Sequence, residues 1–330
     1  MDIRNRSALK QDAAVSLSRA ENQKKIVAVY AGVNIAIAAG MYLADLAISH
    51  AISGTGGLSN LGTRSILQTL QSVLPVLQMV FGMCWAMGYL RAMMNIGRNL
   101  PADTRTLCDS FRLFGPIFRL EILQTLIYSG IMIGCVYGAT ILFMFTPFAQ
   151  PLVDVVGSYE TSMLSSEMVI TDEMLTAMMP AMTPIIVITF ALFAIIGGPL
   201  LYSYRMAYYC LLDDPRAGAR ASLRWSKAMM RNRRMELLKL DLSLWWYYGL
   251  ETLVSVLSFG VPILTLLGIQ LPFSNMVSDA IFLIVYYGLL FCLQATLLNY
   301  REVIYVKAYD RLRTPDAPPQ PVILGNIFQM

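Results

Sequence analysis

The stretch from Tyr204 to Ser258 reads YRMAYYCLLDDPRAGARASLRWSKAMMRNRRMELLKLDLSLWWYYGLETLVSVLS, and it begins and ends in hydrophobic spans. Between them, Arg216, Arg220, Arg224, Lys227, Arg231 and Arg234 follow at intervals of 4, 4, 3, 4 and 3. On one helix this spacing makes a single basic stripe with Trp225 and Met229 turned away, the pattern of a helix lying along an anionic membrane surface. At Asp241-Leu242-Ser243 the chain enters a second span, in which Ser243, Tyr247, Glu251, Ser255 and Ser258 recur at 4, 4, 4 and 3. A polar line then runs along an otherwise apolar helix, and it must face protein or water because lipid cannot satisfy it. A basic surface helix joining two such spans makes the chain an all-α polytopic membrane protein.

Composition agrees with this reading. Of 330 residues, 56% are hydrophobic and only 14% charged, which lies outside the range of soluble domains of this size. The net charge of +4 is informative through its distribution. The basic residues border the spans and serve topology first, so nucleic acid is excluded as the expected partner. Cys84, Cys108, Cys135, Cys210 and Cys292 are scattered without paired spacing, which supports neither a disulfide nor a metal site. His50 is the sole histidine and follows the first span as an interfacial polar residue. The chain also lacks a Gly-rich phosphate loop with Lys and a His-x-x-x-His pair, so neither an enzyme nor a cofactor is expected.

In chain order, residues 1–25 carry six basic residues and place Leu9, Ala13, Leu17 and Ala20 at helical spacing, an amphipathic cytoplasmic helix. Six spans are expected, at about 26–49, 66–90, 120–145, 185–212, 240–267 and 276–300. Gln71 and Gln78 flank Pro75 on one face of the second span and offer a counterpart for the polar line of the fifth. Gly130, Gly134 and Gly138 form a small-xxx-small series at which a neighbouring helix is expected to approach closely. Residues 146–184 hold five acids and no Lys or Arg, and should lie outside. Breaks are expected at Gly197-Gly198-Pro199 and Gly260-Val261-Pro262. Residues 1–313 form one membrane domain, followed by a Pro-rich tail, 314–330, expected to be disordered.

Counting Lys and Arg by side places 24 of 25 on one face, with Arg64 the exception, when six spans are drawn and both termini are cytoplasmic. The expected location is the bacterial cell membrane. Offsetting the chain by 114 residues places Arg91 on Arg205, Pro101 on Pro215, Phe111 on Trp225 and Arg119 on Arg233. Spans two and three thus match spans four and five as parallel hairpin repeats.

This region resembles a bacterial family of integral membrane proteins known as a domain of unknown function, number nine-seven-five in its series. The resemblance rests on Tyr204-Arg205-Met206 and Tyr209, on Asp213-Asp214-Pro215, on Ser222, Ser226, Met230 and Asn232, and on Leu240-Asp241-Leu242-Ser243 with Trp245. Arg6, Leu9 and Lys10, and Ala308, Tyr309 and Leu312 near the other end, extend it over most of the chain. Arg205, Pro215, Asp241 and Ser243 are the positions that the family motif singles out. The resemblance implies six spans and no assigned catalytic residues. It also implies a distant similarity to the membrane region of some glycerophosphodiester phosphodiesterases.

Glu251 lies about eleven residues inside the fifth span, close to the bilayer midplane at about 1.5 Å per residue. A carboxyl there is expected to be neutral and hydrogen-bonded to Gln71, Gln78 or tyrosines of facing helices. Asp241, at a helix end, reads as a cap or hinge. The expected function is non-enzymatic: handling a lipid or small solute, or supporting a membrane complex. The alternatives are an ion- or proton-coupled carrier using the Glu251 line and a structural scaffold. The expected partners are anionic headgroups of the bilayer and, in the scaffold reading, another membrane protein.

Overall fold

The computed structural model describes residues 5–54, 61–146, 183–257 and 275–313, and among them all regular structure is helical. The main helices are α1 (Arg6–Arg19), α2 (Gln23–Gly54), α3 (Leu61–Gly97), α4 (Phe114–Met144), α5 (Thr183–Asp213), α6 (Gly218–Met229), α7 (Arg234–Leu242), α8 (Trp245–Leu257), α9 (Asn275–Leu293) and α10 (Asn299–Leu312). Among the described residues five stretches are long and apolar enough to cross a membrane: Gln23–Ile52, Gly62–Gly97, Thr106–Met144, Thr183–Asp213 and Leu283–Leu312. Ile66, Leu126, Phe190, Ile195, Leu253 and Ile284 are exposed on them and their neighbours. So much outward apolar surface suits acyl chains and not water, and the protein is a multi-pass membrane protein.

The helices overrun the expected spans because the backbone ladder need not stop where the hydrocarbon does. α3 continues past residue 90 to Gly97 and carries Arg91 as a buried side chain. The last span runs on through α10, so Arg301 is a helical residue. Residues 147–182, the break expected at Gly260-Val261-Pro262, Ser258 and the tail after residue 313 lie outside the described residues.

Two expected helices are each divided. The basic stripe is not carried on one helix: Arg220, Arg224 and Lys227 lie on α6, Arg216 precedes it and Arg231 falls in the turn before Arg234 opens α7. Gly218 has φ +77 and Asn232 φ 65, both left-handed, so neither can sit inside an α-helix. The amide of Arg216 instead bonds the side chain of Asp214 at 3.1 Å. The fifth span is divided at Ser243, whose amide bonds Leu240 O at 3.0 Å while its hydroxyl donates to the same oxygen at 2.6 Å. Ser243 therefore lies in the turn between α7 and α8, and the polar line occupies two helices and not one.

Near Gly197-Gly198-Pro199 the ladder widens to a π-helical turn, Phe193–Gly197, with Pro199 at the start of the following helical segment. Proline lacks the N–H that a regular turn would use, and the widened turn accommodates this. A second π turn, Gln294–Leu298, separates α9 from α10.

The chain forms two compact units, Met1–Leu120 with Met206–Trp225 and Glu236–Met330, and Glu121–Arg205 with Ser226–Met235. In the first, α1 buries Leu9, Ala13, Ser16 and Leu17 against α3 and α10. Arg6 and Lys10 of α1 donate to Lys239 O at 3.3 Å and Ser243 O at 3.0 Å, capping the C-terminal end of α7 with positive charge. α3 passes close to the turn 106–109: a Cβ on Gly88 would lie 1.9 Å from Leu107 O, so only glycine fits. In the second unit Phe143 is buried against Ile185 and Ile188, and Ser226 donates to Ser203 O at 2.9 Å. The glycine series of α4 does not bring a neighbour close. A Cβ on Gly130 or Gly134 would meet nothing within 4 Å among the described residues, and one on Gly138 would reach Leu192 at an ordinary 3.5 Å.

Candidate functional site

The first unit holds two guanidinium-centred clusters. One is built on Arg98, just past the end of α3, where the chain turns through Asn99 at φ 57. Its Nη1 lies 2.6 Å from Asp213 Oδ1, and its Nη2 2.6 Å from Asp310 Oδ1. Asp213 ends α5 and also accepts from Arg313 Nη1 at 2.6 Å and from the hydroxyl of Tyr309 at 2.7 Å. Burial works against the charge of Arg98, whose side chain is 3% exposed, but the hydrogen bonds from Asp213 and Asp310 outweigh it and raise the pKa above the ordinary arginine value. With two arginines and two aspartates the cluster is charge-balanced. It ties the ends of α3, α5 and α10 together, which gives Asp213 of the family motif a structural role.

The other cluster is centred on Arg301, near the start of α10. Its guanidinium donates from Nε and Nη2 to Glu302 Oε1 at 3.0 and 2.7 Å and lies over the ring of Tyr247, 4.8 Å from its centroid. Its Nη1 is 3.8 Å from Glu251 Oε2. The hydroxyl of Tyr248 lies 2.7 Å from that of Tyr305, which donates to Asp241 Oδ1. Tyr209 donates to Glu302 Oε2 at 3.4 Å and stacks on Tyr309 at 5.4 Å between centroids, linking this cluster to that of Arg98. The Arg301 guanidinium thus serves two carboxylates, Glu302 closely and Glu251 loosely.

The residues expected to form the polar line are placed unevenly. Tyr247 is 2% exposed and packs on Arg301, whereas the Glu251 side chain is 43% exposed. Ser255 is exposed and returns its hydroxyl to Glu251 O at 2.8 Å, satisfying itself within α8. Gln71 does not meet Glu251. Its amide donates to Asp45 Oδ1 at 2.7 Å and Ser49 Oγ at 3.3 Å, both on α2, and Gln78 is exposed. Among the described residues α8 packs on α9, which makes the last span its counterpart there.

Of the basic residues, Arg216, Arg220, Arg224, Lys227 and Arg231 are exposed and Arg234 is half-buried. The opposite face of α6 buries Ala219, Ser222, Leu223 and Ser226, so the motif positions Ser222 and Ser226 form a packing stripe at four-residue spacing. Arg205 lies in the turn at 203–206 that precedes the last segment of α5, and Pro215 in the one that precedes α6.

Sequence reasoning missed Arg301, Glu302, Tyr305 and Arg98 as site residues. Arg301-Glu302 was legible as an adjacent ion pair following an apolar run, but positive charge at a span's inner end serves topology so regularly that it gave no separate signal. No curated protein and no solved structure matches the chain, and the similarity to phosphodiesterase membrane regions is not shown. The family described as "Protein of unknown function (DUF975)" matches residues 14–314, which take in both clusters. From α1 to the last described residue, the chain belongs to the DUF975 family.

Proposed function

We propose that the chain is a six-span protein of the bacterial cytoplasmic membrane, with both termini in the cytoplasm, that handles a lipid or small solute at the Arg301 cluster without catalysing a reaction. The observation that carries this reading is the loose partner at the site. Arg301 holds Glu302 at 2.7 Å, but Glu251 reaches it only at 3.8 Å with its own side chain 43% exposed. An ion pair held so loosely is one that a ligand can open at small cost, since exposed pairs contribute about 0–1 kcal/mol. The apolar stretch expected at about 240–267 supplies the sixth span, and the distribution of Lys and Arg supports the orientation. The exposed cations from Arg216 to Arg231 then face anionic headgroups, each worth about 1 kcal/mol near the surface.

The exposed, loosely paired Glu251 also favours a second reading, a carrier coupled to a proton or cation that completes the site there. A scaffold for a membrane complex is the third reading.

Cysteine accessibility tests the site. In protein lacking the native cysteines, Glu251→Cys should react with a small water-soluble thiol reagent, with Asp45→Cys as the positive control. Silence at 251 beside a reactive 45 removes the site reading. In proteoliposomes, uptake that depends on pH and is lost in Glu251→Gln selects the carrier. Absence of uptake together with a stoichiometric co-purifying partner selects the scaffold.

A further inference from the structure

Apart from the Arg301 cluster, the reversal between α1 and α2 opens into a cleft of about 320 Å³, within the size range of small-molecule sites. Ser16, Arg19, Glu21, Asn22, Gln23 and Asn99 line it around the apolar side chains of Ile26 and Ile96. Its polar lining consists largely of hydrogen-bond donors. Ser16 is 4% exposed, yet its hydroxyl has no hydrogen-bond partner among the described residues. A hydroxyl on the wall of a cleft with no protein partner is available to a ligand.

Gln23 adds a fixed donor. Its Oε1 accepts from Asn299 Nδ2 at 3.0 Å, and this contact orients the amide and leaves the Nε2 hydrogens without a protein partner among the described residues. Arg19 closes the last turn of α1, and Ala20 breaks the helix with an extended backbone at ψ 98. Gln23 opens α2, a 32-residue helix, and lines the cleft, which sets the positive end of the helix dipole beside it, although the Gln23 amide itself donates to Ala20 O at 3.3 Å.

We infer that this cleft binds a phosphate group. A hydroxyl, an oriented amide, a guanidinium and a helix N-terminus together match the acceptor oxygens and the charge of a phosphate monoester or diester. Glu21, the one carboxylate on the wall, opposes the anion and supplies a test of sign. Ile26 opens the first expected span and Ile96 lies near the end of α3, which puts the cleft at headgroup depth in the six-span topology. A phospholipid headgroup and a soluble phosphate ester share this chemistry.

Calorimetric titration of the full chain in zwitterionic micelles separates the two sources, with dihexanoyl phosphatidic acid and glycerol 3-phosphate as probes. Saturable binding of at least one probe is expected. Arg19→Gln should weaken it by about tenfold and Ser16→Ala by about threefold, while Glu21→Gln strengthens it. Arg220→Gln, on α6, should leave it unchanged. Tighter binding of the lipid probe assigns a headgroup, and equal binding of the two a soluble ester. Arg19 is exposed and Ser16→Ala removes a single oxygen, so both variants should unfold at temperatures close to that of the parent, as a thermal scan will check. The proposal is overturned if neither probe binds, if binding survives both Arg19→Gln and Ser16→Ala unchanged, or if Glu21→Gln and Arg19→Gln shift the affinity in the same direction.

Discussion

Arg98 and Arg301 each sit between two carboxylates in the same unit, but one cluster is closed and the other open. Arg98 has side-chain exposure of 3%, contacts at 2.6 Å to both partners and a second arginine that balances the charge. Arg301 is 20% exposed, holds Glu302 at 2.7 Å and Glu251 at only 3.8 Å, and no second arginine appears among its described contacts. In the closed cluster every strong acceptor is committed to the fold. In the open one an acceptor is left partly uncommitted, and that is where exchange with a ligand is least disruptive. Burial with complete pairing marks structure, whereas burial with one loose partner marks a site.

The largest test of this contrast is Arg98→Met. Removing one partner of a buried network leaves carboxylates unpaired, and a loss of about 3–5 kcal/mol is expected in unfolding from mixed micelles. A loss under about 1 kcal/mol would mean that the two clusters do not differ in kind. Arg301→Met should be milder, about 1–3 kcal/mol, because Glu251 can turn to solvent when its partner is gone. Should it match Arg98→Met, the open cluster is as structural as the closed one. Glu251→Gln is expected to change stability by less than about 1 kcal/mol, while altering any uptake or ligand binding.

The smallest expected effect is one of pH. The folded guanidinium of Arg98 has its pKa raised above the unfolded value. Its contribution is therefore fully present below the ordinary arginine value and is lost only as pH rises through the still higher folded value. The stability difference between the parent and Arg98→Met should stay constant from pH 7 to 10. A difference that shrinks in that window assigns the stabilisation to some other group.

The helical class, the membrane setting and most of the apolar stretches were legible, because long apolar runs bounded by Arg and Lys have few physical alternatives. Helix breaks were legible only where glycine or proline marks them. Asn232 in a left-handed conformation and the Ser243 hydroxyl bonded to Leu240 O divide helices without such a signal. Tyr247 and Glu251 were found by spacing, but their partner was not, since periodicity reports which residues share a face and not which helix that face meets. The pairing of Gln71 with Asp45 on α2 is a case in point.

The π turn at Gln294–Leu298 bears on this directly. A widened turn amounts to one added residue, and each residue of an α-helix advances the direction of its side chain by about 100°. Every position after Leu298, Arg301 included, is thus out of phase with a wheel drawn from the start of the last span. Hydropathy does not register the slip, because it reports which residues are present and not the direction in which they project. Deleting a single residue from this turn would leave span length and composition nearly untouched, yet it would swing Arg301 and Glu302 about a quarter-turn away from Tyr247. In this protein the register of the charged site is stored in a local miscount of the helix.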